Sequence, residues 1–356
     1  EYSELGYARQ VARHLGVENH EVVVDQSRFL EMLPHAVQTA DEPLADLTIV
    51  PLLAVSQLAR GHVKVALSGE GADEVLAGYG FNRMHFKFET IRLLQTSPPS
   101  LLKAIKRALA LLSHRYAPRF ANVIDIPLSQ WNIAHKNHMT YIWDEIDKPT
   151  LWPTFAGHDS VRILRDMFAA AESQHPLDQI LRVYQQSWLV EDLLMKADKM
   201  SMAASLEMRT PFLDYRLVEW ANRQPIGTKI GLHGSRHVSK RVLRRFAAKR
   251  LPREIITRPK KGFPVPVYQW LRNERFSAWA VDHLSGNRAQ LKHLFRPDAM
   301  KAQLRRAATT GDWEASTKSW LLIVLETWMR GFNVDLASDA PSPPDAAFVA
   351  RSLTGE

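Results

Sequence analysis

The chain has 356 residues, no cysteine, and a net charge of +8 from 46 basic against 38 acidic side chains. That length allows one large or two ordinary domains, and the lack of cysteine excludes disulfides and thiolate metal sites. No apolar run approaches a membrane span, the richest being residues 320–325, and no signal-peptide pattern opens the chain, so a cytoplasmic protein with no membrane partner is expected.

Ser3 is a suitable N-cap, Ala8, Val11, Ala12 and Leu15 recur at helical spacing, and Gly16 closes the first helix. Glu21-Val22-Val23-Val24 reads as a strand. A helix begins near Ser27 with Phe29, Leu30 and Leu33 on one face, and Asp41-Glu42-Pro43 breaks the pattern into an irregular stretch that holds Asp46 and Thr48. Pro51 then stands near the start of a helix that presents Leu52, Val55, Leu58 and Ala59 and stops at Gly61. Residues 63–67 read as a short buried strand. Alternation of helix and strand predicts a parallel, doubly wound α/β sheet. Two strands are too few for a stable sheet, so further strands are expected upstream of Glu1, with the chain a part of a longer protein. Exposed apolar faces and partial order over residues 1–67 follow from the same shortfall.

Beyond Tyr79 the pattern is mostly helical. Ser97-Pro98-Pro99-Ser100 punctuates it, a basic amphipathic helix follows over 101–112, and residues 115–153 are rich in loops. Leu189, Leu193, Ala197, Met200 and Ala204 form an apolar stripe flanked by Glu191, Asp192, Lys196, Asp198 and Lys199. Residues 207–214 leave that helix at Pro211, another helix begins at Ser239-Lys240, and helices continue to about Phe332. The tail from Ser338, with Pro341, Pro343 and Pro344, reads as disordered.

Two loops carry candidate chemistry. Ser68-Gly69-Glu70-Gly71-Ala72-Asp73-Glu74 follows a strand, combines two glycines with three carboxylates, and has no lysine. It suits a phosphate cradle bridged by a cation such as Mg²⁺, and a plain acidic turn before a helix would look similar. Arg258-Pro259-Lys260-Lys261-Gly262-Phe263 suits an anion clamp or a basic surface turn. The basic clusters lack interleaved stacking aromatics, so nucleic acid is not an expected partner.

Together, Leu67 to Glu74, Gly78-Tyr79, Lys199-Met200-Ser201-Met202-Ala203, Glu207 to Asp214, Ser239-Lys240 and Arg258 to Phe263 resemble the asparagine synthetase family, in particular its ATP-dependent amide-forming domain. The resemblance covers most of residues 1–331 and is weak over 91–176. It implies the adenine nucleotide α-hydrolase (ATP pyrophosphatase) type of parallel sheet, incomplete here, with a large helical C-terminal part. The implied organisation is a partial nucleotide-binding core over 1–90, a helical insertion over 91–180, a helical part completing the site over 181–336, and a tail over 337–356. The implied reaction adenylates the side-chain carboxylate of aspartate with ATP and Mg²⁺, releases pyrophosphate, and transfers ammonia from a glutaminase domain. In that scheme Ser68 and Gly69 contact the nucleotide, Glu70 assists the chemistry, Asp73 holds Mg²⁺, and Lys240 and Lys260 neutralise the phosphates. Asp46 and Thr48 are weaker candidates for the acceptor pocket. Two departures stand out. With no cysteine the chain cannot carry the family's glutaminase nucleophile, and the run Ser-Gly-Gly-x-Asp-Ser is absent and expected before Glu1. A related amidotransferase or β-lactam-synthetase-like enzyme acting on another carboxylate, or a non-catalytic remnant, are the rival expectations.

Overall fold

The computed structural model describes residues 3–111, 143, 147–171, 175–233, 236–258 and 265–334. Lys260, most of the 115–153 stretch and the tail from Ser338 lie outside the described residues. The chain forms two compact units, one of residues 1–23, 52–140 and 161–264, the other of residues 24–51, 141–160 and 265–356. The described residues are mostly helical, with a small parallel sheet.

In the first unit the helix Leu5–Leu15 ends at Gly16, whose φ of +66° lets its amide turn back onto the carbonyls of Ala12 and Arg13. The capping expectation needs adjustment: Ser3 Oγ accepts from Leu5 N, while Glu4 occupies the N-cap. β1 (Val65–Leu67) pairs in parallel with β2 (Glu207–Arg209), with Val65 opposite Glu207 and Leu67 opposite Arg209. β2 was not expected, because Glu-Met-Arg is short and charged at both ends. A second, antiparallel pair joins β3 (Gly231–His233) to β4 (Arg236–Val238).

Two expectations are corrected here. Residues 21–24 pair with no strand among the described residues, and Val23 is 68% exposed. A β-rich sequence becomes a strand only when a neighbour takes its backbone hydrogen bonds. The expected buried strand is also not buried: Leu67 is 74% exposed. With β2 as its one described partner, β1 has little to cover its faces.

The unit's core lies instead among helices. Phe81, Phe88 and Ile91 of the helix Phe81–Gln95 meet Phe168 and the buried face of the helix Pro176–Gln186, including Leu177, Ile180 and Leu181. A smaller cluster of Val75, Leu76 and Ala221 sits under the glycine-rich loop. The basic amphipathic helix forms as Pro99–Leu111. The apolar stripe spans a π-helical segment, Leu189–Leu194, continued by the helix Met195–Ala203.

The second unit is built around the helix Trp313–Gly331, which buries Trp320, Ile323, Val324 and Glu326. An apolar residue on every face marks a helix enclosed by its neighbours. It packs with the helices Gln26–Ala40, Glu274–Ser285 and Pro297–Thr310. Phe29 stacks edge-on against Trp270 with ring centres 5.2 Å apart and also contacts Trp320. The Trp320 and Trp328 indoles donate to the carbonyls of Ala45 and Asp41 at 2.7 and 2.8 Å, which ties down the irregular stretch after the helix Gln26–Ala40. Among the described residues no helix is long and apolar enough to cross a membrane.

Candidate nucleotide-binding loop

The loop starts where β1 ends. Ser68 N donates to Arg209 O at 2.8 Å, so β2 sets the direction in which the chain leaves the sheet. Ser68 Oγ accepts from Glu70 N at 3.2 Å and forms a tight turn. A Cβ built on Gly69 meets nothing within 4 Å, so this backbone faces open space that a ligand can approach. Gly71 is different. Its φ is +83°, it precedes the short helix Ala72–Val75, and a Cβ there would lie 2.2 Å from Leu213. Only glycine fits both the turn and the contact.

Asp73 and Lys240 are remote in sequence and adjacent in space. Lys240 Nζ lies 2.9 Å from Asp73 Oδ2. The other oxygen, Oδ1, accepts from the Tyr79 amide at 2.9 Å. Gly78 passes so close that a Cβ there would overlap Asp73 Oδ1 at 1.5 Å and Lys240 Cε at 2.6 Å. The backbone is strained around this pair: Ala77, Tyr79 and Lys240 have φ of 57°, 45° and 50°. Left-handed conformations in non-glycine residues cost free energy and persist where surrounding contacts enforce them, often at functional sites.

Below the loop lies the third of its carboxylates, to which the sequence reading gave no role. Glu74 is 1% exposed. The Tyr79 hydroxyl donates to Glu74 Oε1, and the Trp188 indole donates to the Tyr79 hydroxyl oxygen at 3.3 Å. Gln185 Nε2 holds the Glu74 carbonyl at 3.1 Å. Glu74 Oε2 is buried with no hydrogen-bond partner among the described residues. Burial pushes the Glu74 carboxyl up from the usual range, against the lowering effect of the Tyr79 hydroxyl, and the Asp73 and Glu70 charges add to the rise. Burial, followed by the Glu74 charge, raises the Tyr79 phenol as well. The signal available in the sequence was Gly78-Tyr79, a bulky residue after a glycine in the same motif.

The structure thus gathers Ser68, Gly69, Glu70, Asp73 and Lys240 in the first unit. Lys260 lies outside the described residues, two positions beyond Arg258, which pairs with Glu4 at 2.6 Å and faces the Tyr7 ring. Asp46 and Thr48 belong to the second unit. There, Asp46 Oδ1 accepts from both Thr48 N and Thr48 Oγ1, at 2.7 and 2.6 Å, just ahead of the helix Ile49–Arg60. That is the local arrangement of a helix start.

A second cluster, His85, Glu89 and His175, has potential ligand atoms within 4.8 Å of one another. His175 Nδ1 accepts from Leu177 N at 3.1 Å and caps the helix Pro176–Gln186. In the neutral ring this leaves the proton on Nε2, which donates to Glu89 Oε1 at 3.1 Å. While the cap stands, that ring has no lone pair for a metal, so the cluster serves as a helix cap backed by a carboxylate.

Comparison with known proteins gives the chain's relatives. A family model described as asparagine synthase matches residues 1–330. The chain is 30% identical over 340 residues to asparagine synthetase (glutamine-hydrolysing) 1 of Bacillus subtilis, covering 94% of this chain and 51% of that protein. It is 27% identical to asparagine synthetase (glutamine-hydrolysing) 3 of the same organism, covering 93% and 48%. It is 26% identical to the amidase chyE of Penicillium rubens, covering 64% and 36%. The chain spans about half the length of the synthetases it matches.

Proposed function

The chain belongs to the asparagine synthase family, and from that premise we propose that it carries the ATP-dependent amide-forming site of a cytoplasmic ligase. In this reading ATP activates the side-chain carboxylate of aspartate as an acyl-adenylate with release of pyrophosphate. Ammonia, delivered from glutamine by another domain, then displaces AMP to give asparagine. The sheet beneath the site is then of the adenine nucleotide α-hydrolase type. The observation that carries the reading is the Asp73–Lys240 pair beside an open glycine loop at the end of a parallel strand.

The donor chemistry fits a hard divalent cation. The loop offers carboxylate oxygens, and the chain has no thiolate. Asp73 is the residue that would hold Mg²⁺, which when bound offsets the charge of the departing pyrophosphate. Gly69 lets the nucleotide approach the backbone, with Ser68 beside it. Lys240, joined by Lys260, acts as a point charge on the phosphates. Glu70 orients the acceptor and takes the proton that the nitrogen loses once ammonia has attacked the activated carbonyl. Asp46 and Thr48 remain proposals for the acceptor side.

A second reading, amidation of a different carboxylate, is supported by one feature. The residues gathered around the loop address the nucleotide, and relatives called amidases match as well. Pyrophosphate release by the intact native protein, with ATP, Mg²⁺, ammonium and a panel of carboxylates, tests both readings. Release with aspartate is expected, and Glu70→Gln is expected to lower it by about 10²–10⁴-fold. Release with another acid alone would favour the second reading, and release with none would overturn both.

A further inference from the structure

Lys240 and a divalent cation claim the same oxygen. Lys240 Nζ sits 2.9 Å from Asp73 Oδ2, while Oδ1 already accepts the Tyr79 amide. Gly78 packs against both partners, leaving no space for even a methyl group between itself, the Asp73 carboxylate and the Lys240 stem, so the two side chains are held side by side. The Lys240 backbone is also fixed in a left-handed turn at the head of the helix Arg241–Ala247. A Mg²⁺-sized ion binds carboxylate oxygen at about 2.0–2.1 Å, so on Oδ2 it would stand close to the ammonium and be repelled by it. Phosphate oxygens alter the balance, because they offer the lysine a second anionic partner.

We propose that Lys240 acts as a placeholder on Asp73. It keeps free divalent cation off this carboxylate and yields the position only when nucleotide phosphates draw its ammonium away. Cation and nucleotide therefore enter together. This inference rests on the reading of Asp73 as the cation ligand.

The test uses Mn²⁺ as a paramagnetic probe, followed by electron paramagnetic resonance on the intact native protein. It is run with and without a non-cleavable α,β-methylene analogue of ATP. Wild-type protein is expected to bind Mn²⁺ with the analogue and not with Mn²⁺ alone below millimolar levels. Lys240→Met is expected to bind Mn²⁺ alone with an affinity on the order of tenfold or more above wild type. Lys240→Arg should resemble wild type, and adding Asp73→Asn to Lys240→Met should abolish the gained site. Equal Mn²⁺ affinity of wild type with and without the analogue would overturn the placeholder role. So would a folded Lys240→Met protein that takes up Mn²⁺ with the analogue but gains nothing alone. Should Lys240→Met fail to fold, the two wild-type titrations decide by themselves. No Mn²⁺ uptake by wild type even with the analogue would instead overturn the reading of Asp73, and the placeholder with it.

Discussion

Each of the two units buries a glutamate, and the two are treated in opposite ways. Glu326, 0% exposed, accepts from the amides of Gln290 and Leu291 at 3.0 and 2.8 Å and from Arg330 Nε at 2.6 Å. Its charge is matched on every side shown. Glu74, 1% exposed, has a tyrosine hydroxyl on one oxygen and no hydrogen-bond partner on the other among the described residues. A buried charge is tolerable when it is paired and hydrogen-bonded, and it titrates upward when it is not. The helical unit therefore spends its carboxylate on holding elements together. The loop keeps one under-compensated beside Asp73, Glu70 and a strained backbone, as sites do more often than cores.

Breaking the better-matched glutamate should have the larger effect. Glu326→Ala leaves Arg330 Nε and two amides without their acceptor, and about 3–5 kcal/mol of stability should be lost in denaturant unfolding. A loss under about 1 kcal/mol would contradict the claim that this carboxylate organises its surroundings.

His283, whose carbonyl also accepts from Arg330, sharpens the picture. Its ring accepts or donates to Thr327 Oγ1 at 2.9 Å, and burial with the Arg330 charge brings its pKa down to about 4. Because the folded value lies below the unfolded 6.5, the unfolded chain binds more protons between these values. Stability is then full above pH 6.5 and falls by roughly 3 kcal/mol as the pH drops through 4. Unfolding midpoints recorded across this range should show the fall in wild type and a smaller one in His283→Asn.

Gly78→Ala probes the loop. The added methyl overlaps Asp73 and Lys240, so a stability loss of about 1–3 kcal/mol is expected with a disproportionate loss of nucleotide binding. Retention of both would mean the pair is looser than described. The smallest effect is expected from Glu74→Gln. The raised carboxyl makes charged Glu74 a cost that appears as the pH rises through the unfolded value of 4.5 and is complete above the folded one. The amide, neutral throughout, should therefore stabilise at neutral pH and converge with wild type in acid. Thermal melts at two pH values are sufficient to see the sign.

How much of this was legible beforehand depends on how local each feature is. The helices Leu5–Leu15, Gln26–Ala40 and Pro99–Leu111 were readable from apolar spacing and terminators such as Gly16. The loop was readable as glycine and acid after a strand. The pairing of Asp73 with Lys240 was not, since nothing in local spacing links them; only the family resemblance put both near the phosphates. Tyr79 in a left-handed turn runs against the preference of its residue type and could not be read from propensity. Residues 21–24 misled for the converse reason: three valines favour a strand, but strand formation needs a partner backbone. β2 was hidden in Glu-Met-Arg because its pairing with β1 is long-range.

Asp73 is the residue on which the proposed ATP chemistry most directly depends. Aspartate-dependent pyrophosphate release should be measured for intact wild type and Asp73→Asn, with thermal melts of both. The expected result is release by wild type and a loss of about 10²-fold or more in Asp73→Asn, which still melts as a folded protein. Release by Asp73→Asn at close to the wild-type rate would contradict the assignment of this loop as the site of ATP cleavage.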